Sequence, residues 1–335
     1  MVTILLIAIN LIVYLLMLFS GVDFFSPTTE NILAWGGCSS GTILHGEPWR
    51  LLTAMFVHFG IFHLLMNLYA LYDLGSTLER IIGRVRFLTV YLATGIFGGL
   101  VSQFWHLNSY TVEAGASGGV FGIIGVLIAL LTTKLFPEEV RIPYLKRVLG
   151  MVALNVVYGM QGSVNMAAHM GGLVSGFILG YALYLTMVHE KRSQGALLLI
   201  PLITLFCVSG ILKHMKSSDP IKFDGIIAEF DALQEASSKI RAPTDNAEAS
   251  HFIRTVLIPE WERRMLLAAQ TQNLKLSGDK ESHRDYLLKW VDLNSRRMQA
   301  VELQISAIER NEDDLIYEKM IKVLDEQIAK LNGNN

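Results

Sequence analysis

Charge is what this sequence lacks first. Only 17% of its 335 residues are Asp, Glu, Lys or Arg, against about 25% in an ordinary soluble domain. The shortage is local. Residues 1–212 hold ten of the 28 Lys/Arg and nine of the 30 Asp/Glu, and residues 213–335 hold the rest. An apolar block is joined to a charged one. An excess of positive charge is missing as well. The formal net charge is -2, so nucleic acid is not an expected partner. Cysteine is scarce: Cys38 and Cys207 cannot build a disulfide framework and have no metal-ligand spacing.

What is present is long apolar runs. A helix needs about 20 mostly apolar residues to cross the hydrocarbon of a bilayer. Runs fall at roughly 2–20, 51–74, 87–105, 117–136, 146–160, 166–188 and 196–212. The fifth has a short apolar core with Lys146 and Arg147 at its start. The first lacks a charged leading region and an A-x-A-like site, so it reads as a retained span. Arg80, Arg84 and Arg86 follow span two, Lys134, Arg141, Lys146 and Arg147 follow span four, and Lys191 and Arg192 follow span six. The loops after spans three and five contain no Lys or Arg. The positive-inside rule then predicts a cytoplasmic N-terminus, with residues 213–335 outside. The expected location is a multi-pass protein of a bacterial inner membrane.

Polar side chains inside such runs are costly and are functional candidates by default. Span two carries His58, His63 and Asn67. Span four opens with Gly115-Ala116-Ser117-Gly118, and span six with Asn165-Met166-Ala167-Ala168-His169. A serine hydroxyl is a weak nucleophile until a base takes its proton. The glycines flanking this one leave room for a sharp turn and for a substrate. Its place at a helix start offers unpaired N–H donors to an oxyanion. On these four residues alone, a small-residue packing site with a serine cap is the commoner explanation.

His169 is followed by Gly172, Gly176 and Gly180, broadly on its own helix face. Such a face admits a close neighbour helix. Ser117, Phe121 and Gly125 form a matching stripe in span four. If the two faces meet, His169 can act as the general base for Ser117, with Phe121 against its imidazole. Packing alone explains the glycines equally well. His63 and Asn67, four apart, share a face and can both donate hydrogen bonds to an oxyanion. A metal held by His58, His63 and His169 is disfavoured, because no carboxylate accompanies them in the core of span two. No metal and no cofactor is expected. His58 reads as structural, and Glu113 as solvated ahead of the serine loop.

Taken in order, Trp49-Arg50, His58, His63, Asn67, Gly75-x3-Glu79-x3-Gly83, Gly115-Ala116-Ser117-Gly118 and Ala168-His169-x2-Gly172-x3-Gly176 resemble the rhomboid family of intramembrane serine proteases. The similarity covers about residues 1–190. It implies an all-α, polytopic membrane bundle: a six-span core over 1–190, then a seventh span over 191–213. It also implies a Ser–His dyad without a third acidic member, Ser117 as nucleophile and His169 as base. His63, Asn67, Gly115 and the Ser117 backbone N–H would stabilise the oxyanion. Trp49 and Arg50 would be structural, and Gly75, Glu79 and Gly83 a packing motif. Expected partners are the bilayer and single-span membrane proteins, cut near the outer face. The rival reading is a non-catalytic scaffold or chaperone that binds transmembrane helices with the same fold.

Residues 214–335 read as a soluble bundle of three or four helices. Apolar positions recur near helical spacing at Val301, Ile305 and Ile308, and at Met320, Leu324, Ile328 and Leu331. Breaks are expected near Pro243, Pro259, Ser277-Gly278-Asp279 and Asn311. Its expected role is recruitment of substrate or a partner protein.

Overall fold

The first apolar run folds as α1, Val2–Phe19, and no side chain of its own caps its start. The unpaired N–H groups of a helix start attract an anion, and Glu79 supplies it. Its carboxylate accepts from Val2 N at 2.8 Å, Thr3 N at 2.9 Å and the Thr3 hydroxyl at 2.6 Å. Glu79 is buried, so these bonds also satisfy a charge that water does not reach. This computed structural model describes residues 1–159, 165–188, 193–239, 246–310 and 312–333.

After α1 the chain makes three short helices, α2 (Thr29–Ala34), α3 (Ser40–Leu44) and α4 (Arg50–Thr53). Reciprocal capping boxes, Thr28 with Asn31 and Ser39 with Thr42, fix the starts of α2 and α3. Next come α5 (Ile61–Ala70), a wider π turn over Leu71–Gly75, and α6 (Ser76–Ile82). The expected straight span from residue 51 is corrected here. The chain bends by 94° between Arg50–Phe56 and Ile61–Ile82. Gly60 makes the bend possible. Its φ is +112°, and a Cβ there would lie 2.1 Å from the Phe25 carbonyl oxygen.

The remaining helices of this part are α7 (Arg84–Trp105), α8 (Ser117–Thr132), α9 (Glu138–Gly159), α10 (Met166–Val188) and α11 (Ser193–Lys216). Helices α7, α8 and α10 pack on one another at the centre. The buried core beside them includes Leu71, Leu74, Phe87, Tyr91, Phe121 and Leu130. Seven apolar runs do not become seven helices of equal character. Among the described residues, α1, α7 and α10 are long and apolar enough to cross a membrane, and the bent pair makes a fourth. Helix α8 is apolar but has only 16 residues. The architecture is an all-α membrane bundle, and no strand occurs among the described residues. An isolated bridge joins Cys38 and Glu113.

By contacts the chain divides into Met1–Lys216 and Ser217–Asn335. The second unit contains α12 (Asp219–Ser238), α13 (Asn246–Phe252), α14 (Ile258–Gln270), α15 (Gly278–Glu309) and α16 (Leu315–Gly333). Its core includes Phe230, Leu267, Ala268, Leu287 and Val291. The Lys280 ammonium is fully buried and pairs with Asp224 at 2.6 Å. The helices break before Gly278 and after Glu309. Pro259 breaks nothing: it lies in the first turn of α14, and a π turn over Ile253–Leu257 joins α13 to α14. Proline cannot donate to the carbonyl four residues back, and a wider turn just before it accommodates that loss. Pro243 and Asn311 lie outside the described residues.

Candidate active site

The site is built where the loop before α8 meets the bend before α5. Gly115 has φ +122°, a conformation that favours glycine. Its N–H donates to the Ala54 carbonyl at 2.8 Å. The His63 ring fills the space where a side chain would sit, with its Cε1 2.6 Å and its Nε2 2.9 Å from the Cβ position. The Phe59 N–H points at His63 Nδ1 at 3.4 Å. That bond makes Nδ1 the acceptor and leaves the ring proton on Nε2, the nitrogen beside Gly115. Asn67 is buried. One of its amide N–H groups is spent on the His63 carbonyl at 2.9 Å.

From the sequence, His58 is expected in span two together with His63. It lies instead in the bend, ahead of α5, with its ring 5.1 Å from that of His63. It is fully buried, and its Nε2 faces the Ala116 N–H at 3.4 Å. It thereby touches the loop that delivers Ser117. Ser117 is half-buried and is the first residue of α8.

Helix α10 reaches this point because glycines remove the obstacles. A Cβ at Gly172 would lie 2.1 Å from the Gly118 carbonyl oxygen, and one at Gly176 2.1 Å from that of Gly122. From α7, a Cβ at Gly98 would meet the Ala168 oxygen at 2.7 Å and the Gly118 Cα at 3.4 Å. Only backbones without side chains pack this closely. Gly118, next to Ser117, therefore lies against Gly172, three residues beyond His169. His169 is buried, and its imidazole stacks on Phe121 with centroids 4.1 Å apart and planes 14° apart. Its Nδ1 is buried and has no hydrogen-bond partner among the described residues.

Trp49 and Arg50 sit away from this centre, at the start of α4. Trp49 is exposed, and the Arg50 guanidinium lies over its ring at 4.9 Å. Arg50 donates to the carbonyls of Leu33 at 2.5 Å and Gly37 at 2.9 Å, and it pairs with Glu47. These bonds tie the long first loop to α4.

The expectation for Glu113 is overturned. It is buried, not solvated. Its N–H and C=O pair with Cys38 at 2.7 and 3.0 Å. Its Oε2 accepts from the Ser102 hydroxyl at 2.8 Å and from Asn165 Nδ2 at 2.5 Å. Burial pushes its carboxyl up to about 7, and the Ser102 and Asn165 hydrogen bonds pull the other way. Its partners come from three distant stretches of chain, which no local spacing reveals. The one local signal was Asn165, a residue type that favours helix starts.

Comparison with known proteins bears on what this geometry is for. Residues 45–186 match the family model described as the Rhomboid domain. The chain is 36% identical over 214 residues to Rhomboid protease GluP of Bacillus subtilis (strain 168), covering 62% of this chain and 40% of that protein. It is 34% identical over 161 residues to RHOMBOID-like protein 6, mitochondrial, of Arabidopsis thaliana, covering 48% and 52%. Against Putative rhomboid protease YdcA of Bacillus subtilis (strain 168) it is 33% identical over 164 residues, 47% of this chain and 80% of that protein. The chain spans about half or less of the length of the first two.

Proposed function

The chain belongs to the rhomboid family, and from that premise we propose that it is an intramembrane serine endopeptidase with Ser117 as nucleophile and His169 as general base. The family and the apolar helices make it an integral membrane protein. One observation carries the reading. Glycine contacts between α8 and α10 set Gly118, beside Ser117, against Gly172, one turn along from His169, with Phe121 stacked on the imidazole. A packing site alone has no use for a serine and a histidine at the two ends of that contact.

In this mechanism His169 takes the Ser117 hydroxyl proton as Oγ attacks the scissile carbonyl. The oxyanion that forms is met by the Ser117 N–H at the helix start, by the ring N–H of His63 and by the free amide N–H of Asn67, with Gly115 leaving room for the His63 ring beside it. His169 then protonates the leaving amine. Water, deprotonated by the same imidazole, releases the acyl group. A buried histidine with no acidic partner on Nδ1 among the described residues fits a two-residue mechanism. A peptide bond inside a helix is hydrogen-bonded and crowded, so substrates with helix-breaking residues are cut faster.

The domain reading is part of the proposal: a six-span protease core over 1–190, a seventh span over 191–213 and a soluble helical domain over 214–335. The N-terminus is cytoplasmic, the membrane is a bacterial inner membrane, and residues 214–335 lie outside, where they recruit substrate or a partner protein. The substrates are single-span membrane proteins. The test is cleavage of a helix-destabilised single-span substrate in liposomes by the wild type and by Ser117→Ala. Product from the wild type alone is expected. Equal product from both ends the protease reading in favour of the scaffold.

A further inference from the structure

The starting point is the end of α10 that carries His169. A helix start leaves its first N–H groups without partners inside the helix, and a side chain just before it commonly accepts one. Asn165 does this for α10. Its Oδ1 faces the Ala168 N–H at 3.3 Å, and its carbonyl accepts the His169 N–H, also at 3.3 Å. The backbone position of His169 is therefore set by where Asn165 is held.

Asn165 is held from its other side. Its Nδ2 donates to Glu113 Oε2 at 2.5 Å and lies 2.6 Å from the Ser102 hydroxyl. Ser102 itself donates to the same carboxylate oxygen. Ser102 belongs to α7. Glu113 is fixed in turn by the bridge to Cys38, whose carbonyl also lies 3.5 Å from the Gln103 amide. Ser102 and Asn165, from two separate stretches of chain, converge on one buried oxygen, while Cys38 holds the Glu113 backbone. A carboxylate so placed costs free energy unless it is fully hydrogen-bonded, so its retention calls for a use. Glu113 also lies four residues before Ser117, at the head of the loop through Gly115. One side chain thus connects the loop that delivers Ser117 to the cap of the helix that delivers His169.

We propose that Glu113 is a positioning residue for His169, acting through Asn165 to hold the start of α10 against the Ser117 loop. It touches neither substrate nor the reacting atoms. The inference rests on the protease reading for its kinetic consequence, but the brace itself is testable without it.

Four proteins decide the matter: the wild type, Glu113→Ala, Glu113→Gln and Asn165→Ala, with the Glu113→Ala/Asn165→Ala double variant beside them. Turnover of the single-span substrate is measured together with hydrogen exchange of the amides in 166–170. Glu113→Ala is expected to lower kcat by ~10-fold to ~100-fold, as small misplacements of catalytic groups do, with KM within about twofold. The amides of Ala168 and His169 should exchange faster. Glu113→Gln keeps an oxygen for Ser102 and Asn165 and should recover most of the rate and the slow exchange. The double variant should be no slower than the worse single one, because both remove the same link. Wild-type kcat and exchange in Glu113→Ala overturn the proposal. So does a loss that glutamine does not rescue, or one that adds to that of Asn165→Ala. A wild type that cleaves nothing, with exchange raised in Glu113→Ala and restored in Glu113→Gln, overturns the protease reading and leaves the brace standing.

Discussion

Adding one methyl group at Gly172 should separate the two helix ends that the site depends on. A Cβ there would sit 2.1 Å from the Gly118 carbonyl oxygen, 3.0 Å from its carbon and 3.3 Å from Gly122 N. All three are backbone atoms, so no side chain can rotate away. Real Cβ contacts stay beyond 3.0 Å, and the shortfall of 0.9 Å must come from moving α10 off α8. Overpacking of this kind costs about 1–3 kcal/mol, and a displacement near 1 Å at a catalytic centre can cost ~100-fold in rate. Gly180 supplies a graded comparison. Its Cβ would meet the Ala129 Cβ at 2.6 Å and Val126 at 3.0 Å, so α10 has to move less there, eleven residues from His169. Gly150, with nothing within 4 Å, is the control. The assay is turnover of a helix-destabilised substrate in liposomes, paired with the thermal midpoint of each variant. The expected order of rate loss is Gly172→Ala, then Gly180→Ala, then none for Gly150→Ala. A Gly172→Ala protein with wild-type midpoint and turnover would refute the packing argument. A lowered midpoint with unchanged turnover of the folded fraction would refute the positioning argument.

Glu79→Ala should destabilise the first unit by about 2–3 kcal/mol, because buried donors lose a charged acceptor. Hydrogen exchange at Val2 and Thr3 would rise first, and unchanged exchange there would contradict the cap. Glu113 predicts a pH dependence of stability. Its carboxyl is raised from 4.5 to about 7, so the folded protein favours the protonated form, and the contribution present below 4.5 is lost as pH rises through about 7. The whole span is worth about 3 kcal/mol. The neighbours on the carboxylate are the neutral Ser102 and Asn165, with Cys38 across the bridge and His106 on the Ser102 carbonyl at 2.9 Å. Glu113→Gln should flatten the difference in thermal midpoint between pH 5 and pH 8, and an unchanged slope would count against it. In the second unit, Asp224→Ala removes the carboxylate at 2.6 Å from the buried Lys280 ammonium, which still donates to the Pro220 carbonyl at 3.2 Å, and should destabilise that unit. Faster exchange in α12 and α15 would report it.

Much of the centre was legible because it is written in the periodicity of single helices. Gly172, Gly176 and Gly180 recur along one face of α10, and that face meets Gly118, Gly122 and Ala129 of α8. Phe121, one turn below Ser117, stacks on His169. What stayed hidden depends on chain far away in sequence or on backbone that is not helical. The bend at Val57–Gly60 turns on the fit of Gly60 against Phe25, and an apolar run does not announce it. Pro259 read as a break because sequence spacing does not announce the π turn ahead of it. Glu79 reaches across 76 residues to Thr3, and Glu113 reaches Ser102, Asn165 and Cys38 from a loop with no period at all.

The two misjudged or underused carboxylates share a logic. In an apolar unit a buried acid must be saturated with donors, and the richest local source of unpaired donors is a helix start. Glu79 serves the start of α1 directly, and Glu113 serves the start of α10 through Asn165. Neither is bonded to His169 Nδ1, which has no partner among the described residues. Acids committed to holding helices in place are not available to orient an imidazole by hydrogen bonding. Its orientation then has to come from packing, from Phe121 on its face and from the glycine contact beneath it. The two-residue site proposed for this chain would therefore demand close helix packing where a three-residue site would rely on a carboxylate. For the same reason, a methyl group at Gly172 should slow turnover by the folded protein more than the loss of any acid that does not reach α10.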